Sequence, residues 1–159
     1  MITVSETVFD PGEALRAFTQ SCPDAGGIVS FTGHVRPTAK SGPAAKSGPV
    51  ECLHLQVYSP MTEQGIEATA QEAKERWPLI DLRIIHRIGD MAPGEAIVFV
   101  ATASAHRRAA FEAADFLMDY LKTKAIFWKR ETGEHGSRWI EPRPEDYSDS
   151  ARWATNGET

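Results

Sequence analysis

Two β-rich runs, Leu79 to Ile88 and Glu95 to Thr102, stand only six turn residues apart, Gly89 to Gly94. A parallel pairing needs a crossover of a dozen or more residues, so this spacing restricts the two runs to an antiparallel hairpin. The rest of the chain has to pack against that pair.

Its surroundings are readable from local chemistry. ITVSE near the start is a short strand, and Asp10 followed by Pro11 marks the N-cap and first position of a helix through about Ala17, broken by Pro23 to Gly27. GIVSFTGHV, Gly27 to Val35, is β-rich and largely apolar, as a central strand would be. ECLHLQVY, Glu51 to Tyr58, alternates Leu53, Leu55 and Val57 against Cys52, His54 and Gln56, which predicts a strand with unlike faces. Pro60 opens a helix to about Trp77, and Pro78 ends it. A second main helix covers about Ala105 to Thr123, and Ala125 to Glu131 is a strand. Two main helices among five or six strands, several in hairpin order, predict an α+β fold with a mostly antiparallel sheet.

The chain of 159 residues has the size of one domain, expected to span 1–159. From Ala39 it reads AKSGPA and then AKSGPV, a repeat rich in Gly, Pro, Ser and Lys, so the loop at about 37–50 is expected to be mobile. A phosphate-binding loop needs Gly directly before its Lys, and Ala39 and Ala45 stand there instead, which excludes that motif. The polar, proline-containing stretch at about 142–159 is expected to be a loosely held tail.

A formal charge of −5 argues against a general nucleic-acid binder, which needs surplus Lys and Arg to displace counterions. MITVSETVFD lacks the basic start and apolar run of a signal peptide, and the longest wholly apolar run, Ala96 to Ala101, is too short to span a bilayer. A soluble, cytoplasmic protein with no membrane partner is expected. Cys22 and Cys52 form no CxxC or zinc pattern, so both are expected to be structural, with no metal and no redox cofactor.

The second main helix carries the chemistry at its ends. Ser104 as its cap would put His106 and Arg107 in the first turn, where free amides and the positive end of the dipole welcome an anion. On a helical wheel Ala110, Leu117, Leu121, Ala114, Met118 and Phe111 share an apolar arc into which Arg107 and His106 also point. Asp115, Arg108, Asp119, Glu112 and Thr123 make a polar strip. Lys122 lies on the border. Alternation in the following strand sets Phe127, Lys129 and Glu131 on one face and Ile126, Trp128 and Arg130 on the other. Lys122 and Lys129 would therefore enter one cleft, where two amines lower each other's proton affinity and suit proton transfer near neutral pH.

Several segments together, FTGHVR (Phe31 to Arg36), YSPMTEQ, ERWPL, HRIGDMAPGE, SAHRRAAFEA, MDYLKTKAIFWKRE and GSRWIE, resemble the large, catalytic subunit of molybdopterin synthase over nearly the whole chain. The resemblance implies an α/β-hammerhead fold and a sulfurtransferase. Such an enzyme moves sulfur from the C-terminal thiocarboxylate of a small ubiquitin-like subunit to cyclic pyranopterin monophosphate, making the dithiolene of molybdopterin. It further implies a homodimer within a heterotetramer, with Arg36, His106, Arg107, Lys122 and Lys129 at the active site and His34, Val35, Arg130 and Glu131 in the substrate pocket. Among these, Lys122 and Lys129 are the catalytic candidates.

Arg107 and Lys122 are fifteen residues apart on one helix, so their Cα atoms lie roughly 22 Å from each other. A small substrate does not reach both, which predicts a composite site: Lys122, Lys129 and Arg36 from one subunit, His106 and Arg107 from its twofold mate. The alternatives are a non-catalytic phospholigand-binding regulatory domain, which would need no thiocarboxylated partner, and a persulfide sulfurtransferase working through Cys22 or Cys52. Neither accounts for both lysines.

Overall fold

The computed structural model describes residues 1–38, 48–125, 127–134 and 136–154. The doubled AKSGP unit falls almost wholly outside them, as does Ile126. Two four-stranded sheets organise the rest.

The first sheet runs β1 (Ile2–Ser5), β4 (Leu79–Arg87), β6 (Ala96–Ser104), β2 (Gly27–His34). β6 pairs antiparallel with β4 on one side and β2 on the other, and only β1 joins in parallel. β2, expected as a central strand, is an edge strand, and Phe31 on it is exposed. Its apolar content had suggested burial on both sides, but β6 alone pairs with it.

β4 and β6 are covered on both faces, which explains why apolar residues fall on both faces of each, in β6 almost throughout. Leu82, Ile84, Val98 and Val100 face α2 (Met61–Arg76) and α3 (Arg107–Thr123), packing on Ile66, Ala70, Phe116, Leu117 and Leu121. The alternate residues Ile85, Phe99, Ala101 and Ala103 pack on Phe18 and Cys22 beside α1 (Pro11–Ser21). Burying one such large side chain stabilises by about 1.5–3 kcal/mol. α1 begins as its sequence dictates: Asp10 Oδ1 accepts from the amides of Gly12 at 2.6 Å and Glu13 at 3.0 Å. Asp10→Ala should cost about 1 kcal/mol of stability, read as a lower urea midpoint at unchanged slope.

The second sheet runs β5 (Gly89–Met91), β3 (Val50–Val57), β7 (Phe127–Gly133), β8 (Gly136–Ile140), all antiparallel. Its inner face holds Val50, Leu53, Leu55 and Met91 together with Val35. β5 occupies what the sequence read as a plain turn, so the chain leaves the first sheet at Arg87 and joins the second at Gly89, with Ile88 alone between. Gly89 has φ +76°, open to glycine at little cost.

Residues 144–151, expected within a loosely held tail, instead form α4 (Pro144–Ala151), which packs on α3. Arg152 reaches Asp115 at 2.6 Å and Asp119 at 2.9 Å, and the Trp153 indole donates to Asp119 at 2.7 Å while its ring packs against Trp77 and Phe116. Asp119, read as part of a solvated strip, is buried by this clasp. Phe111, read as part of the buried arc, is exposed. No helix among the described residues is long and apolar enough to cross a membrane.

Candidate active site

The strand register sets Lys129 opposite Leu55 of β3 and Ile140 of β8, on the face that carries the inner apolar residues of the second sheet. Its side chain therefore runs inward. Burial pushes the Lys129 ammonium below the usual lysine range, the charge of Lys122 pushes the same way, and Asp146 of α4 pushes back. Lys122, in the last turn of α3, keeps 41% of its side chain exposed and pairs with Asp146 at 3.6 Å. The two amines expected to share a cleft are thus electrostatic neighbours, with the Asp146 carboxylate acting on both.

Beneath Lys129 lies a residue the sequence did not single out. His86 on β4 is buried and stacks flat on Phe127, ring centroids 4.0 Å apart and 14° from parallel. Its Nδ1 is 2.9 Å from the carbonyl oxygen of Arg87. A carbonyl only accepts, so Nδ1 carries the hydrogen. Desolvation, against the opposing pull of that carbonyl and with help from the Lys129 charge, lowers the imidazole to about 4. His86 is therefore a neutral group within electrostatic reach of Lys129. A single histidine in an apolar strand gives no sequence sign of this, because it reads as an ordinary core residue.

At the opposite end of α3 the helix starts two residues later than expected. His106 is the N-cap and Arg107 the first helical residue. Ser104 is no cap for the helix: it ends β6, is buried, and donates its hydroxyl to Pro78 O at 2.9 Å while accepting from the His106 amide at 3.4 Å. His106 and Arg107 are exposed and make no ion pair among the described residues. With Gly26, Ala105, Arg108, Phe111 and Glu112 they line an open depression of about 650 Å³. Gly26 permits this geometry, since a Cβ there would collide with the carbonyl oxygen of Ala105. Cations beside free helix amides suit a phosphate or carboxylate.

The other pocket candidates divide. His34, which ends β2 of the first sheet, and Arg36, which leads toward the second sheet, are both exposed. Val35 between them is buried in the core of that sheet, with its N–H donating to Glu95 O at 2.9 Å and its C=O accepting from Gly94 at 2.8 Å. Its side chain and both backbone groups are taken, so Val35 aims its neighbours and offers a ligand nothing polar. Glu131 shares the Lys129 face and accepts from Arg138 at 3.2 Å. Arg130 is on the opposite face, over the Trp139 ring at 5.7 Å, and Trp139 meets the exposed Trp128 edge-on.

Neither cysteine is built as a nucleophile. Cys22 is buried in the core. Burial raises the Cys52 thiol above its ordinary range, and the nearby Asp90 carboxylate, 3.7 Å from Sγ, adds to this. A persulfide mechanism needs the reverse shift.

Residues 4–124 match the family described as MoaE protein. The molybdopterin synthase catalytic subunit of Caulobacter vibrioides is 46% identical over 153 residues, covering 96% of this chain and 97% of that one. Among solved structures, the molybdopterin biosynthesis MoaE protein from Burkholderia ambifaria superposes with a TM-score of 0.78 at 38% identity, covering 98% of this chain and 99% of that one. Molybdopterin synthase from Staphylococcus aureus does so with a TM-score of 0.74 at 31% identity, covering 87% of this chain and 95% of that one.

Proposed function

This chain belongs to the MoaE protein family, and on that premise we propose that it works as the catalytic subunit of a molybdopterin synthase. It is a sulfurtransferase of molybdopterin synthesis. The donor is the thiocarboxylate at the C-terminus of a small ubiquitin-like subunit, and the acceptor is cyclic pyranopterin monophosphate. Thiocarboxylate sulfur attacks a carbon of the pterin side chain and forms a C–S bond as a C–O bond at that carbon breaks, the oxygen leaving with the phosphate or, once protonated, as water. Water then cleaves the acyl–sulfur link, leaving sulfur on the pterin and a carboxylate on the small subunit. Two rounds give the dithiolene.

The observation that carries this reading is the inward-facing Lys129, desolvated and beside Lys122. Attack and hydrolysis both move protons, and a lysine whose proton affinity is depressed gives up its proton more readily than an ordinary one. Lys122 and Lys129 are assigned the catalytic role. Arg36, His106 and Arg107 supply positive charge for the phosphate, with His34, Arg130 and Glu131 at the margins of the pocket. Incubating the protein with a thiocarboxylated ubiquitin-like partner and the cyclic precursor should yield dithiolene; binding of the precursor with no product under any partner would instead support a regulatory domain.

Lys122 and Arg107 sit at opposite ends of one straight run, α3 (Arg107–Thr123). The site is therefore assigned to a homodimer in which His106 and Arg107 cross over from the mate. A Lys122→Ala subunit mixed with an Arg107→Ala subunit should regain about a quarter of wild-type activity, because half the dimers in a random mixture hold one intact site of two. Verified mixed dimers without recovery would reject the composite site.

A further inference from the structure

A carboxylate set against two lysines that are proposed to work on anions calls for an explanation. Asp146 stands in the first turn of α4, and its side chain is only 12% exposed. Oδ2 accepts from the Arg143 backbone amide at 3.0 Å, which fixes the carboxylate to the helix that carries it. Oδ1 faces two cations, the Arg143 guanidinium at 3.4 Å and Lys122 Nζ at 3.6 Å. Lys129, by contrast, has no ion pair among the described residues.

Building on the sulfurtransferase reading above, we propose that Asp146 is a positioning residue of the lysine cleft. It occupies Lys122 as an ion pair and leaves Lys129 as the amine that gives and takes protons.

The surrounding charges agree with that division of labour. Lys122 faces Lys129 from α3, Asp146 faces it from α4 with Arg143 behind, and the neutral His86 faces it from β4. Along its own strand face the nearest charge is Glu131, already held by Arg138. Asp146 is thus the carboxylate that offsets Lys122 at this site. Desolvation pushes its own carboxyl up, yet the Arg143 amide and the two cations outweigh that and hold it below the usual carboxylate range. It stays an anion through the pH range in which a lysine works.

The test reads Lys129 directly. The pH dependence of its acylation by acetic anhydride, followed by mass spectrometry on the intact protein, gives its titration midpoint without any substrate. Asp146→Asn should move that midpoint to lower pH, Asp146→Glu should restore it, and the amine limb of the kcat/KM profile for dithiolene formation should move in the same direction. If Asp146 only holds α4 in place, Asp146→Asn would hydrate the cleft and move the midpoint up, toward ordinary lysine. Either that rise or an unmoved midpoint overturns the proposal. Failure to form dithiolene in wild-type protein would count against the function reading alone, since the acylation midpoint is measured on the protein by itself.

Discussion

Lys129→Ala is expected to reduce dithiolene formation by about 10²–10⁴-fold, the usual worth of a positioned acid or base, with the loss in kcat rather than in KM for the cyclic precursor. Lys129 faces inward on β7 opposite Leu55, where desolvation and Lys122 both disfavour its charged form. In the proposed mechanism a lysine so placed releases and recovers a proton. Lys129→Arg should therefore rescue almost nothing, because a guanidinium keeps the positive charge but does not deprotonate in a protein. A Lys129→Arg enzyme retaining wild-type kcat would show that position 129 needs charge alone and would remove proton transfer from its role. Circular dichroism on both variants separates this from unfolding.

The second large effect is on stability against pH. His86 is buried and neutral, lowered from the ordinary 6.5 to about 4. Below about 6.5 the unfolded chain takes up a proton at this position that the folded chain refuses until about pH 4. Stability from this residue is accordingly complete above pH 6.5 and lost progressively down to about pH 4, a total of about 3 kcal/mol. His86→Gln should lower stability at pH 7, through loss of the stack on Phe127, yet flatten the dependence between pH 7 and 4 by about 3 kcal/mol. Urea titrations of both proteins across that range measure it. Asp90, Glu95 and Asp146, whose carboxyls are held low, contribute at more acid pH in both proteins alike. Parallel curves for the two proteins would mean that His86 accepts a proton without resistance in the fold.

Local chemistry made much of this structure legible in the sequence. The Asp10 cap, the boundaries of α2 between Pro60 and Pro78, and the alternation in β3 and β7 are set within a few residues. That alternation sets Lys129 on one face with Phe127 and Glu131, and the pairing with β3 opposite Leu55 is what turns that face inward. Features decided by distant partners were not legible. Gly89–Met91 has neither the period nor the residues of a strand, and becomes one because β3 presents an open edge to it. Ser104 looked like a helix cap, but the carbonyl of Pro78 claims its hydroxyl from across the sheet. Asp119 looked solvated until Arg152 and Trp153 closed over it from the far end of the chain. His86 and Asp146 gave no signal for the same reason: what matters about each is its neighbour from another element.

The passage from β4 to β5 has a mechanical consequence. One residue, Ile88, joins a strand of the first sheet to a strand of the second, and one residue spans about 3.5 Å at full stretch. The lysine-bearing sheet has no slack with which to slide over its helix-covered neighbour. Any ligand that displaced one against the other by more than that reach would first have to unzip the end of β4 or peel β5 from β3. A ligand entering beside Lys129 would therefore be accommodated by side chains and by α4 before the two sheets could slip past each other.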